Sequence, residues 1–404
     1  MPYKIIEEAW PERFYISLET ESETEVLKSN IQSINLIETL GSLSPIMVLR
    51  FQDFMGDIVT TTTVYPDGVY NLNIGKTMED LEQFSFSVSK NKFQNLNRSY
   101  LESIGCALYF ISDKWPLLFK NKFNRGWKQQ KISYIVNQIV SEIGFEGIDI
   151  EATEGKFNHI QPNWTNLQFI DWLSKQAFST NGVAGYEYGA TLNNNFFFKS
   201  FNELLNQEPK KEIILGQLFD EKSQEFSQAT DLAIEQNYAE IMREGGGGYR
   251  YQYFDWFNKE NVSESLKISE TNQRQLSDWY YIAESHEDAA NFKMLSRDLN
   301  ASRAIEHRIT HLTNSIQKVE VRIEGDITIH IGDVVNLVIP SARFKIDPFN
   351  EFYSGYYLVS EVEHRLESLN KERKFDTVLK LTRQGVDNTD LQGFVESGKG
   401  KQLP

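Results

Sequence analysis

The sequence predicts an α+β protein that is mainly β, and three observations lead to that prediction. Apolar and polar residues alternate in short runs near both ends of the chain, over positions 13–111 and 317–383, as they do in strands buried on one face. Between these regions the apolar spacing becomes helical. Aromatic residues make up 13% of the chain, and they are enriched in strands and in large buried contacts.

The N-terminal region, residues 1–112, is predicted to be a first β barrel. Its candidate strands are 14–18, 31–37, 46–51, 69–74, 84–88 and 107–111. Gly56, the turn at positions 66–68 and Gly75 lie between these runs, and such residues favour tight turns. Six short strands are enough to close a small barrel.

Residues 113–210 are predicted to form an α/β domain. One helix is indicated by apolar residues at helical spacing: Ile132, Ile135, Val136, Ile139, Val140 and Ile143. Gly144 follows it at the position of a C-cap. A second helix is predicted to begin at Thr165, whose hydroxyl can cap while Gln168 reaches back. Aromatic runs over 185–201, with three asparagines at their turn, predict a hairpin packed on the two helices.

A second, discontinuous barrel is predicted from residues 211–243 and 316–385. Val319, Val321 and Ile323 form one alternating run, and Ile327, Ile329 and Ile331 form another after Gly325. These runs predict two strands joined by a turn. Further strands are predicted over 334–339, 356–366 and 375–381, and a strand pair over 213–240.

An inserted helical and aromatic domain is predicted over residues 244–315. It opens with four glycines, Gly245 to Gly248, which indicate a boundary or loop. A helix is predicted from Ser285 through Phe292 and Leu295 toward Ile305. The tail, 386–404, lacks apolar periodicity, so we expect it to be flexible unless a partner orders it.

Composition and charge argue against several classes of protein. The formal charge of −16 provides no attraction toward a phosphate backbone, so sequence-specific nucleic-acid binding is not expected. One cysteine, Cys106, cannot form a disulfide within the chain. Residues 1–14 lack the apolar core of a signal peptide and no apolar run has membrane-spanning length, so we expect neither secretion by that route nor membrane insertion.

Four sequence segments together resemble a known family. They are Leu49-Arg50-Phe51-Gln52-Asp53 with Gly56, the helix opening Trp164-Thr165-Asn166-Leu167, the stretch from Gly325-Asp326-Ile327 to Ile331-Gly332-Asp333-Val334-Val335, and Gly355-Tyr356-Tyr357-Leu358-Val359 leading to Val362-Glu363-His364. Their order over most of residues 10–385 resembles the central baseplate hub protein of contractile-tailed bacteriophages. It is also similar to the hub half of type VI secretion spike proteins.

The resemblance implies an assembly and a set of partners. It implies two tail-tube-like antiparallel β barrels with α/β insertions, assembling as a trimeric ring that joins the sixfold tail tube to the threefold central spike. The implied partners are the homotrimer, the central spike trimer, tail tube or tube-initiator proteins and surrounding baseplate wedge proteins, with DNA only in transit through the lumen. The implied location is the virion tail baseplate, after assembly in the host cytoplasm.

No catalytic, cofactor-binding or metal-binding residue is predicted. His307 and His311 stand four residues apart, as some metal-binding histidines do, but no third ligand is identifiable. His364 lies within an alternating strand pattern, where a hydrogen-bonded histidine is commoner than a catalytic base. Acidic pairs such as Asp149 with Glu151 are numerous by chance in an acidic chain, and glycosidases need two carboxylates opposed across a cleft.

An aromatic cluster follows the four glycines. Its members are Tyr249, Tyr251, Tyr253, Phe254, Trp256 and Phe257. Two interpretations remain open, a local core or an anchor into a partner, because aromatic residues dominate both. Two alternative functions also remain open: a glycan- or peptidoglycan-cleaving tail enzyme that would use the acidic pairs, and a monomeric receptor-binding β module that would use this cluster.

Overall fold

The structure is a computed structural model. It describes residues 8–9, 15–20, 31–53, 69–75, 82–94, 104–215, 226–236, 248–255, 259–267, 291–295, 301–315, 317–341, 350, 353–369 and 372–383. In these ranges no helix is both long and apolar enough to cross a membrane.

The N-terminal region forms an antiparallel sheet. Its strands are β1 (Glu8–Ala9), β2 (Tyr15–Thr20), β3 (Ile31–Thr39), β4 (Ile46–Asp53), β5 (Val69–Gly75), β6 (Glu82–Gln94) and β7 (Ile104–Ser112). Their order in the sheet is β1-β2-β5-β6-β7-β4-β3. All six strands predicted for this region are confirmed, and in β3 to β7 alternating apolar side chains fill one buried face.

The middle of the chain forms an α/β layer, which we define as residues 113–210. A π-helical turn (Pro116–Lys120) precedes β8 (Phe123–Gln130), α1 (Ile132–Ile143), β9 (Gly147–Ile150), β10 (Phe157–Trp164), α2 (Asn166–Ser174), β11 (Tyr186–Ala190), β12 (Asn195–Ser200) and α3 (Phe201–Leu205). Strands β8 and β10 pair, and a second sheet has the order β11-β12-β9.

The predicted helices of this layer are confirmed, α1 with its C-terminal end and α2 with its start. All six apolar residues that predicted α1 are buried, and Gly144 ends the helix in the left-handed conformation at φ 89°. At the start of α2 the Thr165 hydroxyl accepts a hydrogen bond from the amide of Gln168, whose side chain accepts one from the Thr165 amide. The predicted hairpin is the β11–β12 pair.

The next part of the chain differs from its prediction. It contains β13 (Lys211–Leu215), β14 (Phe226–Gln236), β15 (Gly248–Asp255), β16 (Glu260–Lys267), β17 (Asn291–Leu295) and α4 (Ala301–Asn314). The predicted helix through Phe292 and Leu295 was wrong there, because those residues lie in β17, which pairs in parallel with β15. The helix begins at Ala301. Backbone pairing with a distant strand outweighed the weak local helical pattern.

The C-terminal strands complete a closed barrel. They are β18 (Gln317–Glu324), β19 (Val334–Val338), β20 (Gly355–Leu369) and β21 (Glu372–Arg383). Hydrogen bonding runs through β20-β19-β13-β14-β18-β21 and returns to β20. The barrel is mainly antiparallel, as predicted, with one exception, because β13 runs parallel to both β14 and β19. The division of the chain into domains stays a prediction.

The strand predicted at Ile327 to Ile331 was also wrong. Residues 325–333 form turns and irregular backbone between β18 and β19. Asp326 caps this segment, since its Oδ1 accepts from the Thr328 amide at 3.0 Å, and the Ile331 amide donates to Glu38 rather than to a strand. Two of the alternating isoleucines are nevertheless buried, because Ile329 and Ile331 lie in the barrel core. We call residues 325–333 the connecting segment.

Candidate functional site

The feature that organises the molecule is a strand shared by the sheet and the barrel. Strand β20 pairs with β21 over residues 358–369, while residues 355–358 pair with β19 and residues 361–367 with β3. A bulge between Val359 and Glu361 marks the change of partner. The N-terminal sheet is therefore joined to the barrel by a continuous ladder of backbone hydrogen bonds.

The α/β layer packs on the barrel through the aromatic ring of Phe197, which lies between Gly189 and Gly332. A methyl group added to Gly189 would lie 2.6 Å from Ile331 Cδ1 and 2.8 Å from the Phe197 ring. One added to Gly332 would lie 2.9 Å from the same ring, and Gly332 has φ +83°. These contacts are closer than side chains with a Cβ atom allow, so both glycines are required for this packing.

A buried carboxylate lies where the sheet, the layer and the connecting segment meet. Glu38 is at the end of β3, and its side chain is 0% exposed. Its Oε1 accepts from the Leu192 amide at 2.7 Å and lies 2.9 Å from His330 Nδ1, while Oε2 accepts from the Ile331 amide at 3.0 Å. We call Glu38 and His330 the junction pair.

Burial opposes ionisation of both members of the junction pair, but their mutual contact prevails. The pKa of Glu38 lies below its ordinary value because His330 and the two amides stabilise the carboxylate. The pKa of His330 is raised despite burial, because the hydrogen bond and charge of Glu38 favour the imidazolium. The arrangement stabilises charge inside the protein, and it serves to hold three parts of the chain together.

A second buried histidine lies beside the junction pair. His364 Nδ1 is 3.0 Å from Thr377 Oγ1, which also accepts from the Asp326 amide at 2.9 Å. Burial lowers the pKa of His364 to about 4. Lys211 Nζ lies 3.0 Å from the Asp326 carboxylate. His364 is therefore neutral near neutral pH, and its contacts connect strands rather than form an open site.

One end of the barrel interior holds a buried guanidinium. Arg383, at the end of β21, is 1% exposed and donates through Nη1 to the Ser354 carbonyl at 2.8 Å. Its guanidinium lies 4.3 Å from the centroid of the Tyr357 ring. The Tyr357 hydroxyl accepts from Gln317 and donates to the Tyr353 carbonyl at 2.9 Å. These polar contacts fill the end of the barrel.

Helix α4 contacts β11 through His311, one of the two histidines considered from sequence. His311 Nδ1 lies 3.0 Å from Glu187 Oε1, and this hydrogen bond raises the pKa of His311. Burial lowers the pKa of His307 to about 4. Over the described part of the chain no group of three or more His, Cys, Asp and Glu side chains could hold a metal ion. His311 thus links α4 to the layer.

The predicted aromatic cluster is only partly within the described residues. Tyr249, Tyr251, Tyr253 and Phe254 lie in β15, the central strand of the β16-β15-β17 sheet. Trp256 and Phe257 lie outside the described residues. The prediction that the cluster binds a partner stays a prediction.

The acidic pair considered as a possible catalytic site has structural partners. Asp149 lies 2.5 Å from Lys199 Nζ in an ion pair. Glu151 Oε2 accepts from the Ser200 amide at 2.7 Å. Both contacts join the β9 region to the end of β12. The two strands pair in parallel.

Sequence reasoning missed Glu38 and Arg383. A signal was present, since Glu38 continues the buried alternation of Ile34 and Leu36, and Arg383 continues that of Leu379 and Leu381. A charged residue at a strand position where the alternation otherwise places apolar residues indicates a buried polar contact. An unpaired buried charge there would cost too much free energy.

The fold resembles solved phage structures over almost its whole length. The 43 kDa tail protein of prophage MuSo2 from Shewanella oneidensis superposes with a TM-score of 0.58 at 11% sequence identity, covering 92% of this chain and 98% of that one. The fold is that of phage tail proteins. A tail protein from Neisseria meningitidis MC58 shares this tail-protein fold with a TM-score of 0.58 at 6% identity, covering 92% of this chain and 96% of that one.

The likeness is one of structure. No protein-family model matches the sequence, and no curated protein matches it significantly. A third similar structure is a type VI secretion component of E. coli, with a TM-score of 0.49 at 11% identity over 92% of this chain and 77% of that one. The tail-protein fold is thus present where sequence identity has fallen to 6–11%.

Proposed function

We propose that this protein is a structural subunit of a phage tail baseplate, the hub that joins the tail tube to the central spike. The observation that carries the proposal is the match in fold to a prophage tail protein and to a second tail protein over 98% and 96% of their lengths. A match of that extent includes the sheet, the α/β layer and the barrel together. The function therefore concerns the whole architecture rather than one pocket.

The proposed assembly is a homotrimeric ring. A sheet and a barrel on a shared strand give each chain two β units at a fixed spacing, so three chains would present six units around a ring. Such a ring can match a sixfold tube on one face and a threefold spike on the other. The proposed partners are the spike trimer, tube or tube-initiator proteins and wedge proteins of the virion tail.

The proposed role is non-catalytic. The carboxylates considered for chemistry, Asp149 and Glu151, hold neighbouring strands through Lys199 and the Ser200 amide. The buried ionisable groups at the junction, Glu38 and His330, are likewise occupied with each other and with backbone amides. These contacts use the charged groups for packing, which supports a structural subunit over a glycan-cleaving enzyme.

Native mass measurement tests the assembly directly. We expect the purified chain, alone or co-expressed with the product of the neighbouring spike gene, to give a species of three times its 46.8 kDa mass. Co-expression with an unrelated trimeric protein is the control, and it should leave the spectrum unchanged. A chain that stays monomeric under both conditions and captures no spike would contradict the proposal and favour the receptor-binding module.

The proposed ring encloses a channel for DNA. Because the formal charge is −16, the simplest arrangement is a negatively charged lumen. Such a lumen would repel DNA phosphates and let DNA pass without binding. A reconstruction of the assembled ring would reveal the lumen residues. A lumen lined mainly by lysine and arginine would contradict passive passage.

A further inference from the structure

The junction pair connects three parts of the chain through one buried side chain. The Leu192 amide belongs to the β11–β12 turn of the α/β layer, and the Ile331 amide belongs to the connecting segment of the barrel. Both donate to the carboxylate of Glu38 on β3 of the N-terminal sheet. A charged acceptor strengthens each of these bonds, and the low-polarity surroundings strengthen them further.

His330 can change its protonation state without breaking the junction. Its Nε2 lies 3.0 Å from Asn193 Nδ2, so neutral His330 accepts from that amide while Nδ1–H donates to Glu38. When His330 is protonated, rotation of the Asn193 amide presents its oxygen to Nε2–H instead. Both states satisfy every polar atom of the ring, so the imidazole does not limit the stability of the contact.

Glu38 has no such alternative. A protonated carboxyl group carries a hydrogen on one oxygen, and it cannot remain a strong acceptor toward two amides and His330 at once. The charged neighbour of His330 besides Glu38 is Asp333, which lies 3.1 Å from Lys210 and accepts from the His330 amide at 2.9 Å. Asp326 is a charged neighbour of His364. Asp326 is held by Lys211. These neighbours are already engaged, so none replaces the Glu38 carboxylate.

His364 makes the loss of that carboxylate cooperative. It lies in β20 two residues from Val362, which is the ladder partner of Glu38, and it is completely buried. In acid, a proton on His364 would place a second cation beside His330 after the anion that balances them has been neutralised. Repulsion would then add to the lost hydrogen bonds.

We propose that Glu38 and His330 form an acid-released latch that locks the N-terminal sheet, the α/β layer and the connecting segment in one arrangement. While Glu38 is ionised, the Leu192 and Ile331 amides are held together. Protonation of Glu38 releases both at the same time and loosens the connecting segment from β3. The latch lies within a single chain and is independent of the proposed assembly.

Amide hydrogen exchange read at single residues by NMR tests the latch. In the unmodified full chain we expect the protection factors of Leu192 and Ile331 to fall together, roughly 10- to 100-fold, between pH 5 and pH 3, the change that loss of one charge-assisted hydrogen bond produces. The internal control is the Thr191 amide, which donates to the Asn195 carbonyl within its own hairpin. Its protection should not follow the other two.

A variant separates the latch from simple packing. Glu38→Gln should lower the protection of Leu192 and Ile331 at pH 7 and remove its dependence on pH between 5 and 3. Glu38→Asp keeps the charge and should retain that dependence with lower protection. Should Glu38→Gln fail to fold, the pH series on the unmodified chain decides. Exchange of Leu192 and Ile331 that changes independently, or not at all, with pH would overturn the proposal.

Discussion

The pKa values of four histidines shift in opposite directions because of their nearest contacts. Burial without a hydrogen-bonded acid lowers the pKa of His307 and of His364 to about 4. A carboxylate within 3.0 Å raises the pKa of His311 and His330 instead. The carboxylates of Glu187 and Glu38 thus favour the charged form of the imidazoles that they contact.

The neutral histidines make stability depend on pH. For His364 the folded pKa of about 4 lies below the ordinary value of 6.5, so the unfolded chain binds more protons between those values. The free energy of unfolding therefore falls on acidification. Between pH 7 and pH 5, His364 should contribute a loss of roughly 2 kcal/mol. We expect His364→Gln to reduce the loss by that amount in urea unfolding at pH 7, 6 and 5.

The control for this prediction is His311→Gln. Because the hydrogen bond to Glu187 raises the pKa of His311, its stabilising contribution is present at low pH and is lost as the pH rises through the folded pKa. Its removal should steepen the fall in stability on acidification. An identical pH dependence in His364→Gln and the unmodified chain would show that His364 is not held neutral by folding.

At the scale of single elements, the start of α2 depends on a local contact. The Thr165 hydroxyl accepts from the Gln168 amide, which would otherwise lack a partner in the first turn. Thr165→Ala should lower the free energy of unfolding by about 1 kcal/mol. Thr165→Ser retains the hydroxyl and should cost a few tenths at most. Equal urea midpoints for the two variants would contradict a role for the cap.

The close packing of β11 against the barrel can be tested by adding a methyl group at Gly189. Gly189→Ala places a methyl group against the Phe197 ring and Ile331, and overpacking of this kind costs about 1–3 kcal/mol. We expect Phe197→Leu, which removes part of the ring, to cost less in the Gly189→Ala background than alone. A double-mutant cycle measured by urea unfolding gives that coupling.

The matched control is Gly126→Ala on β8. A methyl group at Gly126 would meet nothing within 4 Å, so this variant should change stability by less than about 0.5 kcal/mol. Additive costs for Gly189→Ala and Phe197→Leu would show that the ring and the glycine are not in the close contact described.

At the scale of the whole molecule, β20 makes the sheet and the barrel one framework, while the β16-β15-β17 sheet is a separate sheet. We expect this small sheet to carry a partner contact through the predicted aromatic cluster. Tyr251→Ala with Tyr253→Ala, two positions on the same face of β15, should weaken co-purification of the spike by at least about tenfold, because truncated hot-spot residues commonly cost more than 1 kcal/mol each.

The alternative interpretation of that cluster gives a different result. If the aromatic residues form a local core, the same double variant should lower the urea midpoint and leave spike binding proportional to the folded fraction. Exposed Ile160→Ala on β10 is the control, since that side chain is 68% exposed. Full spike binding by a stable Tyr251→Ala and Tyr253→Ala variant would contradict the partner contact.

Patterns carried by neighbouring residues predicted local structure well. The six N-terminal strands, α1 with its Gly144 end and the Thr165 cap were all predicted correctly, because alternation, helical spacing and capping act over a few residues. The strand predicted at Ile327 to Ile331 failed for a reason that lies far away in sequence. Glu38, almost three hundred residues earlier, takes the Ile331 amide.

The sequence by itself determined that this protein is mainly β, with alternating strands at both ends and helices between, because burial of one face imposes a period on neighbouring residues. Only the tertiary structure decided that β13 lies parallel between β14 and β19, that β20 serves both the sheet and the barrel, and that Glu38 meets His330. Strand pairing and buried charge pairs form between segments that are distant in sequence. A pattern among neighbouring residues therefore cannot predict which segments will meet.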